Sequence, residues 1–162
     1  MESSQRGYWL VLLSLLLAFM LSAIPLPEIL QWGRPEWVAM ALIYWVMAWP
    51  ERVGVKTAWV CGLLLDLLQS SPLGANALAL TLVSYLSTLL HQRIRNFPLI
   101  QQAFVVLMLI GVLQMVRHWL QQWQGGAAES FIFLLPSLIS ALIWPWWFVL
   151  HRDMQRIFTS IE

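Results

Sequence analysis

The hydrophobic positions of this chain fall into six runs separated by short, proline-marked or polar breaks. They cover about 8–24, 36–49, 54–69, 74–91, 98–120 and 131–150. Pro25 and Pro27 stop the first run. The second begins just after Pro35, a favourable first-turn position, and ends before Pro50. The fourth follows the turn sequence "SSPLG". Each run predicts a helix. A hydrocarbon core of about 30 Å needs roughly 20 residues per helix, so the second and third runs are short. They either thin the bilayer locally, pack mainly against other helices, or together form one re-entrant hairpin over 36–69. Six full spans is the expectation carried forward. The fold class expected is all-α, an integral membrane bundle of about six transmembrane helices in a single polytopic domain over 1–162.

Composition supports a membrane setting. Hydrophobic residues make up 60% of the 162 residues and charged residues 10%, against roughly 25% charged in soluble domains. A globule this small cannot hide so much apolar surface. The eleven Trp residues suit a chain that meets membrane interfaces. The N-terminal run after Arg6 has features of a signal peptide, but its length and the runs that follow favour an uncleaved first helix.

Charge then orients the bundle. With six spans and the N-terminus inside, the cytoplasmic side holds Arg6, Arg52, Lys56, Arg93, Arg95, Arg152 and Arg156, and the outer side only Arg34 and Arg117. The positive-inside rule therefore places both termini in the cytoplasm. The net charge of +1 and the scattered basic residues argue against a nucleic-acid surface.

Enzyme chemistry finds little support. His91, His118 and His151 fall near helix ends on different sides and read as interfacial polar residues. No Gly-x-Ser-x-Gly turn, glycine-rich phosphate loop or paired carboxylates appear. Cys61 is the only cysteine and reads as a packing residue. No catalytic, metal or cofactor-binding residue is assigned, and no cofactor is expected.

One carboxylate stands out. Asp66 lies inside "CGLLLDLLQSSPLGANALAL", about four residues before the outer end of the third run. A charge in the middle of a membrane helix costs about 2.5–3.5 kcal/mol and usually faces the bundle interior. The short turn makes runs three and four antiparallel neighbours, so the Asn76 amide is a candidate donor to Asp66. Asp66, Gln69, Ser71 and Asn76 are expected to form an outer polar cluster. Its role is left open among helix–helix glue, a partner-protein site and a small-ligand or ion site. Ala77, Thr81, Ser84, Thr88 and His91 share one face of the fourth run and predict close helix packing. Arg34, Arg117, Trp144 and Trp146 are candidate interface anchors, and Pro136 and Pro145 are expected to bend the sixth run.

Several strings in order, "RPEW" (34–37), "PERVGV" (50–55), "GLLLDLL" (62–68), "PLG" (72–74), "YL" (85–86) and "WPWWF" (144–148), resemble the rod shape-determining MreD family of Gram-negative bacteria. The resemblance spans nearly the whole chain. It implies a multi-pass protein of the bacterial cell inner membrane, without enzymatic activity, in the elongation complex for peptidoglycan synthesis. It further implies an MreC-like membrane partner, with MreB, RodA, RodZ and a class B transpeptidase in the wider complex. It also implies a helix arrangement similar to the substrate-binding components of vitamin transporters, which says little about function. An alternative from a different class is a small-molecule-binding membrane subunit of an importer.

Overall fold

In a computed structural model, the described residues are 2–125 and 130–160, with side chains from Gln5 onward. They are all helical apart from turns. The elements are α1 (Glu2–Ala23), a single-turn α2 (Glu28–Gln31), α3 (Trp37–Ala48), α4 (Val55–Leu68), α5 (Ala75–Arg95), α6 (Leu99–Trp123), a 3-10 turn (Phe131–Leu134) and α7 (Leu135–Thr159). Six long helices thus correspond to the six apolar runs. Three segments, Gln5–Ala23, Leu99–Trp123 and Phe131–Thr159, are long and apolar enough to cross a membrane. Both α5 and α7 run past the predicted ends at 91 and 150, continuing as polar turns that carry Arg93, Arg95, Arg152 and Arg156.

The short α3 is the hub of the bundle. It packs against α1, α5, α6 and α7, and every residue from Val38 to Met47 is buried. A helix that is apolar all round is stable only when enclosed, and here protein, not lipid, encloses it. That is why 12 residues, about 18 Å of helix, suffice for it. Of the options for the short second run, packing against other helices is the one this arrangement uses.

Aromatic rings close the centre. Trp45, Trp144 and Trp147 are fully buried. Trp45 donates its indole N–H to Ser14 on α1, and Trp144 donates to Gln102 Oε1 at 3.3 Å. The candidate anchor Trp144 therefore faces the bundle interior, whereas Trp146, two positions on, is 60% exposed on the outer surface. His151 is likewise wholly buried, its ring 4.4 Å from that of Trp147, so it is a core residue and not an interfacial one. The two helix prolines differ in position. Pro136 stands in the first turn of α7, where no N–H is needed, while Pro145 is interior and leaves one helical hydrogen bond unmade.

The outer faces remain apolar. Leu12, Leu16, Leu64, Leu67, Ile100 and Met108 all point away from the bundle, as lipid contact requires. Trp45→Ala should destabilise the folded bundle by about 3–5 kcal/mol, read from denaturant unfolding in mixed micelles. Trp146→Ala should leave the unfolding midpoint close to wild type. Equal losses in both variants would contradict the buried-hub arrangement.

Candidate functional site

The four residues of the expected cluster meet at the α4–α5 turn, and Asp66 is its centre. Asp66 is buried near the end of α4. Its Oδ1 accepts from Ser71 Oγ at 2.7 Å and from the Asn76 backbone N–H at 2.9 Å. Its Oδ2 accepts from the Gly74 N–H at 2.9 Å and the Ala77 N–H at 3.4 Å. The first turn of any helix leaves four N–H groups without intrahelical partners. At α5 they are fully accounted for. Asp66 takes those of Gly74, Asn76 and Ala77, Pro72 O takes that of Ala75, and the Leu78 N–H begins the helical ladder on Gly74 O.

Asp66 is thus the N-terminal cap of the following helix, supplied from the preceding one. A carboxylate at a helix N-terminus gains from charge-assisted hydrogen bonds and from the aligned peptide dipoles. The expected Asn76 amide contact takes a different form. The backbone of Asn76 serves Asp66, while its side-chain Nδ2 donates to Ser71 Oγ at 3.1 Å and to Gln69 Oε1 at 3.4 Å. The side chains of Asn76 and Gln69 therefore form a second layer, linked to the carboxylate through Ser71.

Local sequence explains the close approach. A Cβ on Gly62 would lie 2.3 Å from Ala77 Cα, so only glycine permits α4 and α5 to touch here. Gly62 and Asp66 sit four residues apart on one helix face. One gives proximity and the other caps. Gly74 adopts φ +97°, a left-handed conformation that glycine reaches without strain, and starts α5 in the required direction. The small face of α5 is consumed in the same way. Ala77 and Ser84 are buried, as is Ala58 on α4, so these positions already hold the bundle together.

A second polar group, not foreseen from sequence, lies beside the first. Glu36, at the start of α3, receives Arg117 through both carboxylate oxygens, at 2.7 and 3.1 Å, and Gln114 Nε2 at 2.7 Å. Both charged side chains are mostly buried, at 13% and 14% exposure. The Glu36 backbone N–H also donates to Ser140 Oγ on α7. Arg117, expected as an interface anchor, instead ties α6 to α3. Arg34 acts locally too, donating to the Leu21 and Ile24 carbonyls at the end of α1. The sequence signal for this pair is an acid and a base at matching ends of two apolar runs, Glu36 in "RPEW" and Arg117.

Between the two groups lies a cavity of about 130 Å³, lined by Gln69, Ser71, Asn76, Gln114, Arg117 and Gln121 among others. Asn76 Oδ1 and Arg117 Nε are buried without a protein partner. At about 30 Å³ per water, a few waters fit and find both a donor and an acceptor. Among the described residues, no three of His, Cys, Asp and Glu gather to hold a metal. The arrangement fixes helix ends and presents a polar basin, and its acid–base pair, Glu36–Arg117, is engaged in tying α3 to α6.

Comparison with known proteins gives a consistent result. A sequence profile described as "rod shape-determining protein MreD" matches residues 3–154. The rod shape-determining protein MreD of Haemophilus influenzae is 30% identical over 149 residues, covering 91% of this chain and 92% of that protein. No solved structure matches the chain significantly.

Asp66→Asn keeps one acceptor oxygen but turns an NH2 toward donors that the other oxygen served, so an intermediate loss of about 1–3 kcal/mol is expected. Asp66→Leu strands three backbone donors, at about 1–3 kcal/mol each when buried, and should fail to accumulate or melt far earlier in detergent. Near-wild-type behaviour of the leucine variant would refute the capping role. In the neighbouring group, Glu36→Gln or Arg117→Gln alone should cost about 3–5 kcal/mol. The double replacement should recover part of that loss, and simple additivity would deny the coupling.

Proposed function

The chain belongs to the MreD family of rod shape-determining proteins, and on that premise we propose that it is a non-enzymatic inner-membrane component of the rod-shape and cell-wall elongation complex. In this reading it regulates cell shape through an MreC-like membrane protein and the peptidoglycan synthesis machinery, with MreB, RodA, RodZ and a class B transpeptidase in the wider assembly. The observation that carries the reading is the family match, which runs through all six long helices.

Physical support comes from the surface. Short turns join α3 through α6, and large apolar residues such as Phe104, Met108 and Leu142 face outward. A partner therefore meets mainly membrane-embedded helix faces. The small residues Ala58, Gly62, Ala77 and Ser84 cannot serve as that face, because α4 and α5 already use them. The proposed topology is multi-pass, with six spans and both termini in the cytoplasm. Seven basic residues against two favour that orientation.

The importer reading fares less well. Sites for drug-sized ligands occupy about 300–1,000 Å³, and the polar basin beside Asn76 offers about 130 Å³, which suits a few waters better than a vitamin. A recess of about 420 Å³ beside Gln31, Arg34 and Gln69 reaches that range, but neither Asp66 nor Asn76 lines it.

Depletion of the protein in a rod-shaped host should convert rods into round, swelling cells, scored by microscopy. Pull-down of the tagged protein should recover an MreC-like partner. Sustained rod growth after complete loss, without suppressors, would count decisively against the reading. Topology reporters fused at Lys56 and Arg95 should signal the cytoplasm, and those at Gln31, Gln69 and Gly125 the outside. An outside signal at Lys56 or Arg95 would overturn the orientation.

A further inference from the structure

A second polar cavity, of about 220 Å³, opens at the other end of the bundle between α3, α5, α6 and α7. Its chemistry is unlike that of the outer basin. Arg95 and Arg152 line it together with Tyr44 and Gln155, and no carboxylate does. Arg152 Nε forms a long ion pair with Asp153 Oδ1 at 3.6 Å, beyond hydrogen-bond reach, and with both side chains about half exposed the pair is weak and leaves the other guanidinium nitrogens unengaged. That Nε is buried without a hydrogen-bond partner. Tyr44 donates its hydroxyl to Gln155 Oε1 at 3.1 Å, which occupies the amide oxygen and leaves the Gln155 NH₂ free. Gln102 takes no part as a donor, because its NH₂ is spent on the Ile94 and Phe97 carbonyls. Two arginines, Arg95 exposed and Arg152 half-exposed, and one amide thus border a single small space.

We propose that this cavity is a site for the phosphate group of an anionic phospholipid in the adjoining leaflet. Guanidinium groups match phosphate oxygens in a planar, two-pronged geometry. Basic pockets between membrane helices at the cytoplasmic side bind phospholipid headgroups by this chemistry. The remaining wall fits the same depth. Met47, Ala48 and Phe148 are apolar, and Trp49 lies under the Arg52 guanidinium at 5.1 Å, an aromatic–cation pair suited to the interface. A volume of about 220 Å³ suits one headgroup phosphate. The leaflet assignment rests on the topology proposed above, whose test is the reporter at Arg95. That reporter can fail independently of lipid binding.

The experiment uses the purified full-length chain in nanodiscs of phosphatidylcholine, with and without phosphatidylglycerol. Native mass spectrometry reads retained lipid, and tryptophan fluorescence reads the melting midpoint. Phosphatidylglycerol should be retained and raise the midpoint. Arg95→Gln with Arg152→Gln should cut retention at least about tenfold, the scale of losing charge-assisted contacts. Arg93→Gln, a basic residue of the same end that does not line the cavity, should retain lipid like wild type. If the neutral pair is too unstable to purify, Arg95→Lys with Arg152→Lys keeps both charges and removes only the planar forks, and a smaller but measurable loss is expected. Unchanged retention in the lining variants, or equal loss in Arg93→Gln, would overturn the site. A matching midpoint rise with inorganic phosphate in phosphatidylcholine alone would overturn the lipid as its source.

Discussion

The α4–α5 end of the bundle depends on where the first N–H groups of α5 find acceptors. A helix that starts inside a membrane protein cannot leave those groups to water. Asp66 satisfies three of them from the neighbouring helix. This single carboxylate therefore does the work of a local capping residue and of a helix–helix tie at once. Gly62 makes the tie geometrically possible, since any side chain there would collide with the α5 backbone. The Gly-x-x-x-Asp spacing is one structural device, with closeness supplied at one position and hydrogen-bond acceptance at the other.

From that corner the rest of the arrangement follows in layers. Docking α5 against α4 sets one wall around α3, and α1, α6 and α7 complete it. The enclosed α3 then joins its neighbours by polar contacts at its ends and by aromatic packing between. At its start, Glu36 draws in Arg117 and Gln114 from α6 and Ser140 from α7. At its other end, Tyr44 reaches Gln155 near the end of α7. Buried charge pairs are weak sources of net stability but strong penalties when broken. The Glu36–Arg117 pair thus specifies which helices lie together more than it strengthens the core.

The two ends of the molecule carry different chemistry. The α4–α5 end is a hydrogen-bonded network around a small polar basin, complete but for Asn76 Oδ1 and Arg117 Nε. The opposite end gathers arginines around a cavity without carboxylates. Between them lies an apolar girdle. This polarity suits a protein that is fixed in a membrane and presents distinct surfaces to each side.

The sequence by itself determined the helical class, the six long elements and their approximate bounds, because runs of apolar residues broken by proline and glycine leave little alternative. It also pointed to Asp66, because an isolated carboxylate among leucines needs a partner. It placed Ser71 and Asn76 beside that carboxylate, and Ser71 Oγ does donate to it, but it could not name the remaining donors. Those are the backbone N–H groups of Gly74, Asn76 and Ala77, and every residue but proline carries the same N–H, so no letter in the sequence marks them. The Glu36–Arg117 pair joins positions 81 residues apart, and only the packing of α3 inside the bundle brings them together. The same packing decided that Trp144 turns inward while Trp146 turns outward, since two Trp positions on opposite sides of a helix differ only in what lies beside them. Tertiary contact, which selects one face of each helix for burial, settled what composition and spacing left equivalent.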